Sequence, residues 1–375
     1  MRPNNPFLIA GYHSPAYFCD RVQETKTMTA ALENGRNLTL IAPRRMGKTG
    51  LIKNVFYNLN APKKSEVVTL YMDIYSTQSL NDFVKLFAST VLGALDSTPQ
   101  KAMKRIGKFL RTLRPVLTLD EHTGNPKFTV DVSLSNDEVS LKELFAYIGS
   151  SERRVYIAID EFQQIAEYPE KGVEALLRSH IQFLENANFV FAGSKQHMMH
   201  EMFFSAKRPF FQSTQTLTLD RIDRQEYFDF AAAFFKEEGF LLSPETFEYF
   251  YESFDGHTWY IQAILNRLYG YRKSPDNEMV DEAVNEIVAE SAYTYENLLA
   301  AYTQGSVRLL KAIAREGCVK EITSGDFIAR HTLKAASSVN SNLNKLLDRE
   351  LAYKTPDGYI VYDRFMAIWL REQPY

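Results

Sequence analysis

Apolar residues fall first in short unbroken runs and later at helical spacing, and the pattern changes near residue 220. NLTLIA over Asn37–Ala42, VVTLYMDI over Val67–Ile74, VYIAID over Val155–Asp160, FVFAGS over Phe189–Ser194 and the segment Gln215–Leu219 each read as a strand. Between them, apolar positions three and four apart predict helices over Arg21–Asn34, Lys48–Asn58, Asn81–Leu95, Lys101–Arg111, Leu141–Ile148 and Val173–Glu185. Asn34–Gly35 is a fitting stop for the first of these. Thr123-Gly124-Asn125-Pro126 between two strand-like runs predicts a hairpin insertion over Pro115–Ser135. Strands alternating with helices imply a mostly parallel sheet covered on both faces. Met1–Asp20, rich in Pro, Asn, Gly and aromatic residues, reads as an ordered arm.

Beyond Asp220 only helices follow at first. One covers Arg224–Glu238, one starts at the Ser243 cap and Pro244 and runs to Asp255 before Gly256, one covers Tyr260–Tyr269, and at least one lies in Asp281–Leu299. Three further helices, Ser306–Glu316, one near Ser324–Ala329 and Lys334–Arg349, precede two short strands, Leu351–Thr355 and Tyr359–Tyr362, joined by Pro356-Asp357-Gly358. Three helices and a hairpin in that order form a winged-helix pattern. The expected parts are residues 1–221 as arm plus α/β core, 222–303 as a helical lid and 304–375 as a winged helix.

Composition narrows the reading only slightly. The 375 residues, 45% apolar, suffice for two or three cores. Lys+Arg at 43 against Asp+Glu at 46 gives net −3, so the basic surplus of a nucleic-acid binder is absent. The two cysteines, Cys19 and Cys318, are far apart in sequence, fit no CxxC spacing and read as thiols in a reducing compartment. The N-terminus has no signal-peptide core, and no uncharged apolar run reaches the roughly 18 residues of a membrane span. The expectation is a soluble cytoplasmic protein with no membrane contact.

The chemistry concentrates in Ala42-Pro43-Arg44-Arg45-Met46-Gly47-Lys48-Thr49, between a predicted strand and a predicted helix. This is a phosphate loop with Ala42 in the first glycine position. The loop's requirement is a turn whose backbone amides face the phosphates at a helix N-terminus. Gly47 permits close approach, Lys48 supplies charge for the β- and γ-phosphates, and the Thr49 hydroxyl is a ligand for Mg²⁺. Asp160 and Glu161 end the third strand, at the edge where open α/β sheets bind ligands. Asp160 is the candidate magnesium ligand and Glu161 the candidate base for the attacking water. Ser194 ends the fourth strand and is either a γ-phosphate sensor or a plain strand-ending turn. Asp73 ends the second strand without an assigned role.

These residues resemble the archaeal-type ATPase family of the AAA+/STAND group. Pro43-Arg44-Arg45-Met46-Gly47-Lys48-Thr49, continued by Gly50, is similar to that family's PRRxGKT loop, and Ile159-Asp160-Glu161-Phe162-Gln163 to its DEFQ segment. The resemblance implies an α/β P-loop NTPase of AAA+/ASCE-like type: a parallel-sheet core, a helical lid and a C-terminal winged helix. It implies ATP or ADP with Mg²⁺, ATP hydrolysis, and ATP seated between core and lid. Asn5–Pro6–Phe7 and Tyr17-Phe18-Cys19-Asp20-Arg21 resemble the family's N-terminal segments, which makes Phe7, Tyr17 and Arg21 candidates for the base pocket; ordinary packing of an arm fits them equally. Gly256-His257-Thr258-Trp259-Tyr260 resembles the family's G-x-P lid motif with Thr258 at the proline position, and makes His257 a candidate for phosphate or base contact, or for a helix cap. The family also implies an arginine near the γ-phosphate, in cis or from a neighbouring subunit, for which Arg208 is the candidate and Arg221 and Arg224 are alternatives.

Besides nucleotide, the resemblance implies a protein partner or self-association. A winged helix can enter a DNA groove, and Lys334–Arg349 carries six Ser and Asn side chains. Its charges are nearly balanced, which disfavours DNA but keeps an ATP- or ADP-gated DNA regulator among the readings, beside an ATPase switch and a non-hydrolysing nucleotide-binding scaffold. His197 and His200 lack a third ligand at a telling distance.

Overall fold

A computed structural model describes residues 2–60, 66–95, 113–119, 126–132 and 137–375; 113–119 and 126–132 are described by their backbone. The helix expected at Lys101–Arg111 lies outside these residues. The chain divides into two compact units, Met1–Phe230 with His257–Trp259, and Ala231–Gly256 with Tyr260–Tyr375.

The first unit contains α1 (Val22–Glu33), β1 (Leu38–Ile41), α2 (Lys48–Asn60), β2 (Val67–Asp73), α3 (Leu80–Leu95), β3 (Leu113–Leu119), β4 (Pro126–Val132), α4 (Asp137–Gly149), β5 (Arg154–Asp160), α5 (Val173–Ile181), β6 (Ala187–Gly193), α6 (Gln196–Phe204) and β7 (Gln215–Thr218), with α7 (Arg224–Glu237) beginning at its end. β1, β2, β5, β6 and β7 form one sheet in the order β2-β5-β6-β1-β7, with every pair parallel. The central strands explain why the sequence shows runs rather than alternation. All seven residues of β6 are buried, as are all four of β1, because helices cover both faces. β3 and β4 pair antiparallel with Leu113 opposite Val132, the hairpin expected there.

The period of two along each strand divides the core. Val155, Ile157, Ile159, Phe189 and Phe191 point to a cluster with α3, α4, α5 and α6, through Phe83, Leu144, Leu177 and Phe203. Tyr156, Ala158, Val190 and Ala192 point the other way, against α1 and α2, through Met28, Leu51, Ile52 and Val55. The second face carries the loop.

The second unit holds α8 (Pro244–Ser253), most of α9 (Thr258–Gly270), α10 (Asn277–Ala300), α11 (Gln304–Glu316), α12 (Gly325–Arg330), α13 (Ala336–Asp348), β8 (Ala352–Thr355), β9 (Gly358–Val361) and α14 (Arg364–Glu372). Ser243 caps α8 as expected, accepting from Thr246 N. β8 and β9 pair antiparallel as a two-stranded sheet, and Val319 makes an isolated bridge to Tyr359. The helical segment and the winged helix share a core here: the Phe365 ring lies 5.1 Å from Tyr260 and 5.2 Å from Phe254. Trp369 meets Tyr295 at 5.6 Å. Neither α6 nor α14 is among the elements expected from the sequence.

Candidate functional site

Alternation brings the polar strand ends to one place. On β5 the residues facing α2 are Tyr156 and Ala158, and the next in phase is Asp160. β2 pairs with β5 so that Asp73 stands beside Asp160 and Tyr71 beside Ala158. β6 presents Val190 and Ala192 to the same side, and Ser194 continues the phase just past the strand end. Because β6 lies between β1 and β5, Ser194 stands between the loop that follows β1 and the acids that end β5.

The loop itself is tightly shaped. Gly47 has φ +92°, and nothing lies within 4 Å of where its Cβ would be, so backbone conformation rather than space demands glycine there. Arg45 also adopts positive φ, at +66°. Lys48, the first residue of α2, is buried, and its Nζ donates to the carbonyls of Ala42 at 2.8 Å and Pro43 at 3.1 Å. The ammonium thus spans the loop from inside. Met46 is buried beneath it and Gly50 lies against the Phe18 ring of the arm.

Thr49 joins the loop to the acids. Its hydroxyl donates to Asp160 Oδ2 at 2.8 Å. The Tyr71 hydroxyl donates to the same oxygen at 2.8 Å, and the Glu161 amide donates to Asp160 Oδ1 at 3.0 Å. Hydroxyl and carboxylate oxygens are the donors a hard cation such as Mg²⁺ takes, so Thr49 and Asp160 fit that ion. Burial, and then the Asp160 carboxylate, push the Tyr71 phenol far above its ordinary range. Asp73 accepts from Tyr75 N at 2.9 Å. Partial desolvation pushes its carboxyl up, the Tyr75 amide pulls it back, and the Asp160 and Glu161 charges add to the rise.

Glu161 adopts a left-handed turn, φ +55°, directly after β5. Two donors meet on its Oε2: Ser194 Oγ at 2.7 Å and Gln163 Nε2 at 2.5 Å. Gln163 is buried and crosses over Gly193, where a Cβ would collide with its amide oxygen and with Met199. One carboxylate oxygen is therefore held by two donors.

The remaining expected residues lie as follows. Arg21, at φ +62° and buried, donates to Glu24 at 2.9 Å and to the Met46 carbonyl at 3.3 Å, which ties the arm to the loop. Phe7 is fully buried and meets Phe230 edge-on at 6.3 Å, while Tyr17 meets His13 at 5.3 Å; neither of these contacts is with the loop. Arg44 approaches the Tyr75 ring at 5.6 Å. Arg45 lies over Trp259 at 4.0 Å, and the Trp259 indole donates to the Ile9 carbonyl at 3.1 Å. His257 is half-buried two residues before that tryptophan. Arg208 pairs with Glu174 at 2.9 Å and Glu201 at 3.7 Å, away from the acid pair of β5 in its bonding. Tyr71, Gln163 and Trp259 are the participants that sequence reasoning missed. Strand alternation back from Asp73 puts Tyr71 on the same face but does not mark its bond to Asp160.

A five-stranded parallel sheet in this order, with the phosphate loop after one strand and the acid pair two strands away, defines a P-loop ATPase core followed by a winged helix. The chain belongs to the family of ATPase domains found predominantly in Archaea, whose family model matches residues 18–264. A winged-helix-domain model matches residues 293–372. Among solved structures the chain is similar to the Walker-type ATPase of Pyrococcus abyssi, at 18% identity and TM-score 0.66, with 98% of this chain and 99% of that one covered. It is similar to the Aeropyrum pernix ORC2 protein, solved in ADPNP–ADP complexes, at 17% identity and TM-score 0.62 over 98% and 95% of the two chains. The Aeropyrum pernix ORC1 protein, solved in complex with DNA, aligns at 13% identity and TM-score 0.58 over 99% and 97%. These likenesses concern the fold. No curated protein matches the sequence. Among the described residues no helix is long and apolar enough to cross a membrane.

Proposed function

We propose that the protein is a Mg²⁺-dependent ATPase switch of the AAA+/STAND type, in which nucleotide state is passed to the helical lid and the winged helix. The functional parts are the arm and core over 1–221, the lid over 222–303 and the winged helix over 304–375. The observation that carries the reading is the 2.8 Å hydrogen bond from Thr49 to Asp160, made across 111 positions by a loop that also buries Lys48. A helix start, a buried ammonium and a carboxylate edge converge there, and polyphosphate with a hard cation is the ligand that uses all three.

In this reading Pro43–Gly50 wraps the phosphates, Lys48 turns from the Ala42 and Pro43 carbonyls to the β- and γ-phosphate oxygens, and Thr49 and Asp160 hold Mg²⁺. When bound, Mg²⁺ neutralises charge on the transferring phosphate. Glu161 accepts the proton of the attacking water. Ser194 senses the γ-phosphate. It has a single hydroxyl proton, now given to Glu161 Oε2, so donating to phosphate requires it to release the base. Arg21, Phe7, Tyr17 and His257 serve the nucleotide's base and phosphates. Arg208 is the candidate arginine for a γ-phosphate, in cis or in a second copy. Its ties to Glu174 and Glu201 must open first, which favours slow intrinsic turnover. Partners are nucleotide and protein, a second copy included, and the two free thiols suit the cytoplasm.

Nucleotide-dependent melting tests the reading. At about 100 times Kd, a bound nucleotide adds roughly 2.7 kcal/mol, a shift of several degrees in Tm. MgATP and MgADP should raise the Tm of the parent, EDTA should shrink the effect, and Lys48→Ala should abolish most of it. A parent that melts alike with and without nucleotide would sink the proposal.

A further inference from the structure

The residue on β2 that touches the acid pair is a tyrosine, and its geometry has a specific consequence for metal binding. Tyr71 lies on the α2 face of the sheet, packed against the core cluster there. Its register partner is Ala158, whose small side chain leaves the phenol room to lean along the strands toward Asp160. The ring is flanked by Lys53 of α2, with the ammonium 5.1 Å from the centroid. Ring and hydroxyl thus connect three elements: α2, β2 and β5.

The carboxylate of Asp160 receives three donors. Oδ1 takes the Glu161 amide at 3.0 Å, and Oδ2 takes both Thr49 Oγ1 and Tyr71 OH at 2.8 Å. The three differ in duty. The amide belongs to the turn. The Thr49 oxygen is itself a proposed ligand of the cation, so its orientation depends on that ion. The phenol is no proposed ligand: it donates to the carboxylate and is also hydrogen-bonded with the Thr49 side chain, and so it fixes the orientation of Asp160 whether or not nucleotide is bound. Partners that orient a metal-binding group are worth about 10- to 100-fold in metal affinity.

We propose that Tyr71 is a positioning residue that holds Asp160 and thereby sets the protein's affinity for Mg²⁺ in the presence of nucleotide. The proposal rests on the nucleotide-site reading above. It assigns to Tyr71 no contact with nucleotide and no proton transfer.

Tyr71→Phe removes the hydroxyl and keeps the ring between Lys53 and the sheet. The measurement is binding of a fluorescent ATP analogue, first in EDTA and then titrated with MgCl₂, on the full chain, with melting recorded alongside. The expected result is a half-saturating Mg²⁺ concentration raised about 10-fold, with affinity in EDTA unchanged within about twofold. Asp160→Asn and the double variant complete a cycle: once Asp160 is changed, removing the phenol should add nothing. A Tyr71→Phe protein with the parent's Mg²⁺ dependence overturns the proposal, as does an equal effect of Tyr71→Phe in the Asp160→Asn background. A hydroxyl that merely fills space would lower Tm and leave the Mg²⁺ titration where it was. A parent that binds the analogue neither in EDTA nor in MgCl₂ defeats the nucleotide reading itself, and is told apart by the parent's own titration.

Discussion

Ser194 Oγ lies 2.7 Å from Glu161 Oε2, and the same carboxylate oxygen receives Gln163 Nε2 at 2.5 Å. The candidate base is thus anchored through one oxygen, by residues from two different elements. Anchoring is what a general base needs from its surroundings, because proton transfer depends on geometry before basicity.

Glu161→Gln keeps the size of the side chain and removes the base. Turnover should fall by about 10²- to 10⁴-fold, while binding of ADP and ATP stays near the parent's. Single-turnover hydrolysis and nucleotide titration on the same preparation check the two halves. Parent-like hydrolysis by this variant would show that another group activates water.

Gln163→Leu removes the second donor and fills nearly the same space. Glu161 then hangs from Ser194 alone, and kcat should drop by about 10-fold, with KM held within about twofold. If kcat is untouched, the fork is a packing feature.

Gly193 makes the same point from the backbone. An added Cβ meets the Gln163 amide oxygen and the Met199 side chain. Gly193→Ala should therefore cost about 1–3 kcal/mol in urea unfolding, and it should lower kcat beyond what the lost stability explains, because Gln163 must shift.

Asp73 supplies a pH test. Its carboxyl is raised above 3.8, first by desolvation and then, against the Tyr75 amide, by Asp160 and Glu161. A raised acid holds its proton more tightly in the folded state, so stability is highest below the unfolded value, where both states are neutral, and falls as pH rises through the folded one. Asp73→Asn keeps an acceptor for the Tyr75 amide and drops the charge. The variant should be more stable than the parent at pH 7 and level with it below about pH 3.8. Urea midpoints across that range check the sign.

The loop and the acid pair were legible in the sequence because each is contiguous and each follows a run of apolar residues. Lys48, Thr49, Asp160, Glu161 and Ser194 all come together at one sheet edge. Contacts across long separations were not legible. Tyr71 reaches Asp160 across 89 positions, and nothing local in VVTLYMDI distinguishes that tyrosine from a strand residue chosen for packing. Gln163 stands only two residues from Glu161, yet its bond depends on the left-handed turn at Glu161, which no composition signals. α6 escaped because it is nine residues long and buries only Met199, Met202 and Phe203. α14 escaped because the three-helix and hairpin pattern was complete without it. Only the family resemblance gives Arg208 a phosphate role, and its pairing with Glu174 is a property of the fold that no local pattern announces.

α14 also shapes the last prediction. Its Phe365 is buried among Phe254 and Tyr260, Tyr260 OH accepts from the Arg364 amide at 3.0 Å, and Trp369 sits on Tyr295. The helical segment and the winged helix therefore share one core rather than meeting at a wet surface, and a shared core makes unfolding cooperative. The parent should lose amide protection in α9, α10 and α14 together on urea titration. Phe365→Ala leaves a cavity worth about 3–5 kcal/mol and should separate them, with α14 and the β8–β9 wing exchanging at lower urea than α9. Since a switch can pass only what its parts share, the same variant should weaken any nucleotide-dependent protection seen in α13, while leaving nucleotide affinity within about twofold. If wing and helical segment already open separately in the parent, Phe365 does not join them.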